Sequence, residues 1–201
     1  MKKYFLITVA IALLSAFIVS ISADGAKDYQ IKKINEETLQ NGPYPWSTGT
    51  KTLKDRLSDI GLPALSSEGN VLHTHQHLDL IISGKNEKVP EEIGVGENDS
   101  FISAIHTHDD SGIIHIESND KRNYTLGQFF DIWGVRFNDD CIGGYCTKGD
   151  KKLSVYVNGK PVKDNFQQII LESRQEIMIV YGSKEETPEN VSSSYSFPPG
   201  F

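Results

Sequence analysis

Between residues 71 and 83 the chain alternates, and the alternation sorts its histidines to one side. Leu72, Leu78, Leu80 and Ile82 hold even positions, with Thr74 and Gln76 among them; His73, His75, His77 and Asp79 hold the odd ones. A period of two belongs to a β-strand, whose successive side chains point to opposite faces. One face of this strand must therefore be buried, while the other carries a row of imidazoles. A helix would scatter the same residues around its circumference. The alternation thus commits the segment to a sheet with one apolar face.

All six histidines of the 201-residue chain lie between 73 and 115. The second group is His106, His108 and His115, with Asp109-Asp110-Ser111-Gly112 between. That tetrapeptide is turn chemistry, so 101–117 reads as a hairpin. If Asp110-Ser111 is a two-residue turn, His106 faces His115. If Ser111-Gly112 is the turn, His108 faces His115. Both registers put His115 on the face of the other two, whereas a three-residue loop would send it to the opposite face. Glu117 shares the face of His115 and is a candidate supporting acceptor or general base. Asp79 and Asp109 are further candidates to ligate or orient a ligand, although Asp in a turn has a backbone reason to be there.

Imidazoles two apart on a strand can converge on one ion at a nitrogen–metal distance of about 2 Å. Such a donor set suits Zn2+ or Cu2+. His73, His75, His77, His106, His108 and His115 are accordingly the expected ligands of a copper or zinc ion. A site with an open position would activate water or oxygen, with Glu117 or Asp109 taking the proton. Two plainer explanations compete with metal: a buried hydrogen-bonded network, and a pH-responsive surface on a cell-surface binding module.

The rest of the chain supplies the frame. Residues 24–49 are polar and end in Asn-Gly-Pro-Tyr-Pro-Trp, which reads as a linker. Residues 50–60 read as a short helix, with Leu53, Leu57 and Ile60 at helical spacing. The main domain is expected over 71–183, after a linker covering 24–70. Ser83-Gly84-Lys85-Asn86 is a turn and Val89 to Val95 the expected returning strand. Thr125 and Gln128 form a capping box for a helix ending at Gly134, with Leu126, Phe129, Phe130 and Trp133 on its core face. Asn158-Gly159 is a hairpin turn after a strand at 153–157. Strands at 169–171 and 177–181 complete the sheet, and 184–201 reads as a flexible tail. The expected fold is α+β and mostly β, a β-grasp-like sheet with one central helix. A cupredoxin-like β-sandwich with an inserted helix is the alternative.

Lys2 and Lys3 precede an apolar run from Tyr4 to Ile21, the pattern of a signal peptide or an uncleaved N-terminal membrane anchor. Either places the domain outside the cytoplasm, where disulfides persist. Cys141 and Cys146, in Cys-Ile-Gly-Gly-Tyr-Cys, are expected to pair, since no second cysteine pair exists to complete a thiolate metal site. The net charge of −7 argues against a nucleic-acid partner.

Three blocks carry a resemblance: His-Thr-His-Gln-His-Leu-Asp-Leu at 73–80, His-Thr-His-Asp-Asp-Ser-Gly-Ile-Ile-His-Ile-Glu at 106–117, and Thr-Leu-Gly-Gln-Phe-Phe-Asp-Ile-Trp-Gly at 125–134. They resemble a family of exported microbial proteins with HxHxHLD, HTHDxSGxIHxE and TLGQFFDxWG motifs, over about residues 71–182. The resemblance implies that His73, His75, His77, His106, His108, Asp109 and His115 belong to the family pattern. It implies no particular activity. The cysteine loop looks particular to this branch.

Overall fold

The computed structural model describes residues 34–201; the apolar N-terminal segment lies outside the described residues. The described part of the expected linker is built into the core. Ile34, Leu39, Trp46, Leu53, Leu57, Ile60 and Leu62 are all buried in the same apolar cluster as the sheet. A 3-10 turn at Thr50–Thr52 leads into helix α1, Leu53–Asp59. The Trp46 ring meets the Trp133 ring edge-on at 5.6 Å. A domain boundary at Val71 would cut this core in two. Ile34, Leu39, Trp46 and Leu62, spread over a polar stretch, leave no periodicity to read, yet each is buried.

Strand β1, Leu72–Ile82, is the long strand the alternation demands. Leu78, Leu80 and Ile82 face the core. Gln76, on the same side, is fully buried and donates from Nε2 to the Thr74 hydroxyl at 3.0 Å. Strand β2, Lys85–Glu87, returns along β1 and stops. The longer return expected at Val89 to Val95 does not form. Instead the chain leaves β1 and runs beside the next hairpin, with Glu92 N donating to Thr107 O and Thr107 N to Ile93 O.

Strands β3, Ile105–His106, and β4, Ile113–Ser118, make that hairpin, with His106 opposite His115. This is the first of the two expected registers. The connection is longer than two residues, and it tucks against β1 through Gly112. Gly112 has φ +87, its carbonyl accepts from Leu78 N at 2.9 Å, and a Cβ would lie 2.6 Å from the Leu78 oxygen. Only glycine satisfies both conditions.

Helix α2, Leu126–Trp133, has the full capping box: Gln128 N donates to Thr125 Oγ1 at 3.3 Å, and Thr125 N to Gln128 Oε1 at 3.0 Å. Gly134 ends it in the left-handed conformation. Leu126, Phe129, Phe130, Ile132 and Trp133 fill the centre of the core. Beyond it, β5, Cys141–Ile142, and β6, Tyr145–Cys146, form a small separate hairpin closed by a Cys141–Cys146 disulfide.

Strands β7, Lys152–Val157, and β8, Lys160–Val162, flank the Asn158-Gly159 turn, and β9, Glu176–Gly182, enters the middle of the sheet. The strand expected at 169–171 is replaced by a 3-10 turn, Phe166–Gln168, and a single bridge from Ile170 to Thr125. Leu171 is still buried, so the apolar run marks burial without pairing. The main sheet runs β3-β4-β1-β9-β7-β8, with β2 also on β1. β1 and β9 are parallel, and the other pairs are antiparallel. The fold is thus α+β and mostly β: two hairpin units joined through α2, with their long strands parallel at the centre, in β-grasp-like order.

The tail folds back over the other face of the sheet. Val191 packs on a small apolar patch of Ile81, Met178 and Val180. The Tyr195 ring stacks on His77 at 3.7 Å between centroids, nearly parallel to it. The Phe201 ring lies 4.7 Å from that of His75, and Arg174 donates to its carbonyl at 2.6 Å. Among the described residues, no helix is long and apolar enough to cross a membrane.

Candidate metal centre

Pairing across β1, β4 and β3 places the histidines in rows. His75 lies opposite His115, and His115 opposite His106. His73 lies opposite Glu117 in the adjoining row. Directly opposed residues have their Cβ atoms about 5 Å apart, so three imidazoles stand side by side with a carboxylate beside them. His108 rejoins the group from the loop that follows β3.

The ring atoms converge. His73 Nε2 and His75 Nε2 are 3.1 Å apart, and so are His106 Nε2 and His108 Nε2. Glu117 Oε1 lies 3.0 Å from His73 Nε2 and 3.5 Å from His115 Nδ1. His106 Nδ1 donates to the Ser103 carbonyl at 3.0 Å, which leaves Nε2 as the bare, electron-donating nitrogen facing His108. One donor atom each from His73, His75, His115 and Glu117 lie within 4.8 Å of one another; the same holds for His106, His108, His115 and Glu117.

His75, His106, His115 and Glu117 are buried, while the side chains of His73 and His108 are 57% and 46% exposed. The centre is therefore rooted in the sheet and open at two ends. Burial, and then the neighbouring His108, hold His106 down to about 4. Burial, and then His106, His108 and His75, hold His115 down to about 3. His75 is lowered for the same reasons, desolvation first and then His73. These imidazoles are neutral at neutral pH, with lone pairs free for a cation. Burial and the adjacent Glu68 carboxyl push Glu117 up to about 7. The buried Nδ1 of His115 has no hydrogen-bond partner. This donor set, with one buried nitrogen unmet, fits a cation chemically.

Glu68 carries no signal in the sequence. It enters from the loop before β1, 3.3 Å from His108 Nε2. Its neighbour Gly69 lets that loop press on β4: a Cβ on Gly69 would lie 2.1 Å from the Ser118 carbonyl carbon, closer than any side chain tolerates.

His77 and Asp79 stand apart from this centre. They share the face, but the parallel pairing of β1 with β9 puts His77 opposite Glu176. His77 Nδ1 lies 2.9 Å from Glu176 Oε2, and Nε2 lies 3.0 Å from the Ser111 carbonyl. With an acceptor at each nitrogen and Tyr195 on its face, this ring pins the loop and the tail to the sheet. Asp79 sits with His77 and Glu176. Burial raises Glu176, and Asp79 adds to this, against the lowering by His77. Asp109 accepts from Ser111 N at 2.9 Å, and its hydrogen bonds with Ser111 hold its pKa below the usual carboxylate value. It is a turn residue, engaged with its own loop.

A cavity of about 420 Å3 opens beside His108 and Glu68, walled by Phe101, Ile102 and Thr107 among others. Comparison with known proteins finds no matching family model, no similar curated protein and no similar solved structure.

Proposed function

We propose that this protein binds copper or zinc through imidazoles from its two histidine groups, outside the cytoplasm. The observation that carries this reading is the pair of four-donor sets, each within 4.8 Å, that share His115 and Glu117. Neutral buried imidazoles beside a carboxylate are the ligand chemistry that both ions favour. The disulfide supports an oxidising compartment, and the apolar N-terminal run supports export. Purified from its native host without a metal-binding tag, the full chain is expected to carry copper or zinc at stoichiometric level by mass spectrometry. A His75→Ala, His108→Ala variant is expected to carry almost none. A parent chain that is metal-free, and takes up neither ion tightly when they are supplied, would sink the proposal.

A second reading is a metal-dependent enzyme, hydrolytic, hydrating or copper-redox. The cavity beside His108 favours it, because a small substrate has room next to exposed ligands. Azide added to the Co2+- or Cu2+-loaded protein is then expected to shift the visible spectrum by entering an open position. An unchanged spectrum at high azide would count against catalysis and leave metal binding intact.

A further inference from the structure

The number of ions follows from the donor spacing, and the inference rests on the metal-binding reading above. Six residues form the centre, too many for one tetrahedral ion, which takes four. Two nitrogens about 2.0–2.1 Å from a tetrahedral ion lie roughly 3.3 Å apart, and ligands of any one ion lie within about 4.2 Å. The 3.1 Å between His73 Nε2 and His75 Nε2 meets this condition, and so does the 3.1 Å between His106 Nε2 and His108 Nε2. Each pair is a ready two-nitrogen arm. The arms lie on different strands, β1 and the end of β3, on either side of β4. His115 and Glu117 are the two residues common to both donor sets.

We propose that the centre holds two divalent cations, one on the His73–His75 arm and one on the His106–His108 arm, with the Glu117 carboxylate between them. Two-metal sites hold their ions about 3.5–4 Å apart, a separation that the two oxygens of one carboxylate can span. Glu68 adds a second negative charge on the His108 side. The carboxyl groups of Glu117, Glu68 and Asp109 beside the imidazoles offset part of the mutual repulsion of two cations. Around the centre stand Glu117, Glu68 and Asp109, the five histidines, Ser103, and the Phe201 ring of the tail. Arg174, which bonds the Phe201 carbonyl, lies close enough to His75 to help lower its pKa.

The test is stoichiometry on the full chain, stripped with chelator and titrated with Zn2+ by calorimetry and equilibrium dialysis. The parent is expected to bind two equivalents. His73→Ala and His108→Ala, at half-exposed positions, are each expected to retain one tight equivalent. His73→Gln and His108→Gln repeat the measurement should either alanine variant fail to fold by circular dichroism. Loaded with two Cu2+, the parent is expected to show an integrated electron-spin signal well below its copper content, because the ions couple through the bridge. Each single variant with one Cu2+ is expected to show the full signal. One equivalent in the parent, lost in both variants, overturns the two-ion arrangement while leaving metal binding standing. Two equivalents in both variants place the ions elsewhere and overturn it too. No uptake in the parent overturns both readings.

Discussion

His115→Ala is expected to abolish the stabilisation of the folded protein by metal. A ligand that binds only the folded state adds about 2.7 kcal/mol when present at 100 times its Kd. For a domain of this size that is a rise in Tm of roughly 5–10 °C. Thermal unfolding with and without Zn2+ or Cu2+ should show this rise in the parent. His115 is the one histidine in both donor sets, in the row between His75 and His106. Its loss removes a ligand from each donor set, so the rise should fall below about 2 °C. The metal-free variant should itself be only modestly destabilised, by about 1–2 kcal/mol. Removing the ring leaves a cavity, but it also removes a buried nitrogen with no partner. An undiminished metal-dependent rise in His115→Ala would show that the cluster is not where the ion sits.

The same residues show how far a sequence speaks for such a site. The alternation in β1 put His73 and His75 on one face, and the turn residues before β4 put His106, His108 and His115 on one face, because side-chain period and turn chemistry are local. That the two groups meet depends on the pairing of β1 with β4, which no local pattern encodes. The turn residues narrowed the hairpin to two registers, and the structure takes the one with His106 opposite His115. The capping box of α2 and the Asn158-Gly159 turn are local devices too. His77 departs from the other histidines because β9 runs parallel to β1 and brings Glu176 alongside, a pairing nearly a hundred residues away that no local pattern encodes. Glu68 is equally silent: one acid among many, made part of the site by Gly69 lying against Ser118. Apolar residues spaced widely in polar sequence hid the contribution of 34–62 to the core. The tail reads as loose by composition, yet its Val191, Tyr195 and Phe201 each find a surface on the histidine face. Individual aromatic anchors escape an average over polarity.

The metal-free protein is expected to lose stability as pH falls below about 6.5, and Glu117 is expected to soften that loss. His106 and His115 are held down to about 4 and about 3, while unfolded histidine titrates near 6.5. Between these limits the unfolded chain binds protons that the folded chain refuses. Stability from these two groups is therefore complete above about pH 6.5 and declines as pH falls toward their folded values. His75 acts in the same direction. Glu117 has the opposite sign. Pushed up to about 7, it holds a proton when folded that an unfolded glutamate releases near 4.5. Its contribution favours the fold at low pH and is lost as pH rises through 7. From pH 6.5 to 4.5 two histidine terms oppose one carboxylate term of similar size, for a net loss of roughly 2 kcal/mol. Glu117→Gln removes the opposing term, so the loss over the same window should about double, to ~4 kcal/mol. Above pH 7 the variant should be at least as stable as the parent, because the cost of ionising a buried carboxyl is gone. Urea midpoints at half-unit pH steps, with chelator present, measure both curves. Parallel parent and variant curves would mean that Glu117 is already ionised in the fold, stabilised by imidazolium neighbours. The cluster would then be a charged network rather than a set of neutral donors awaiting a cation.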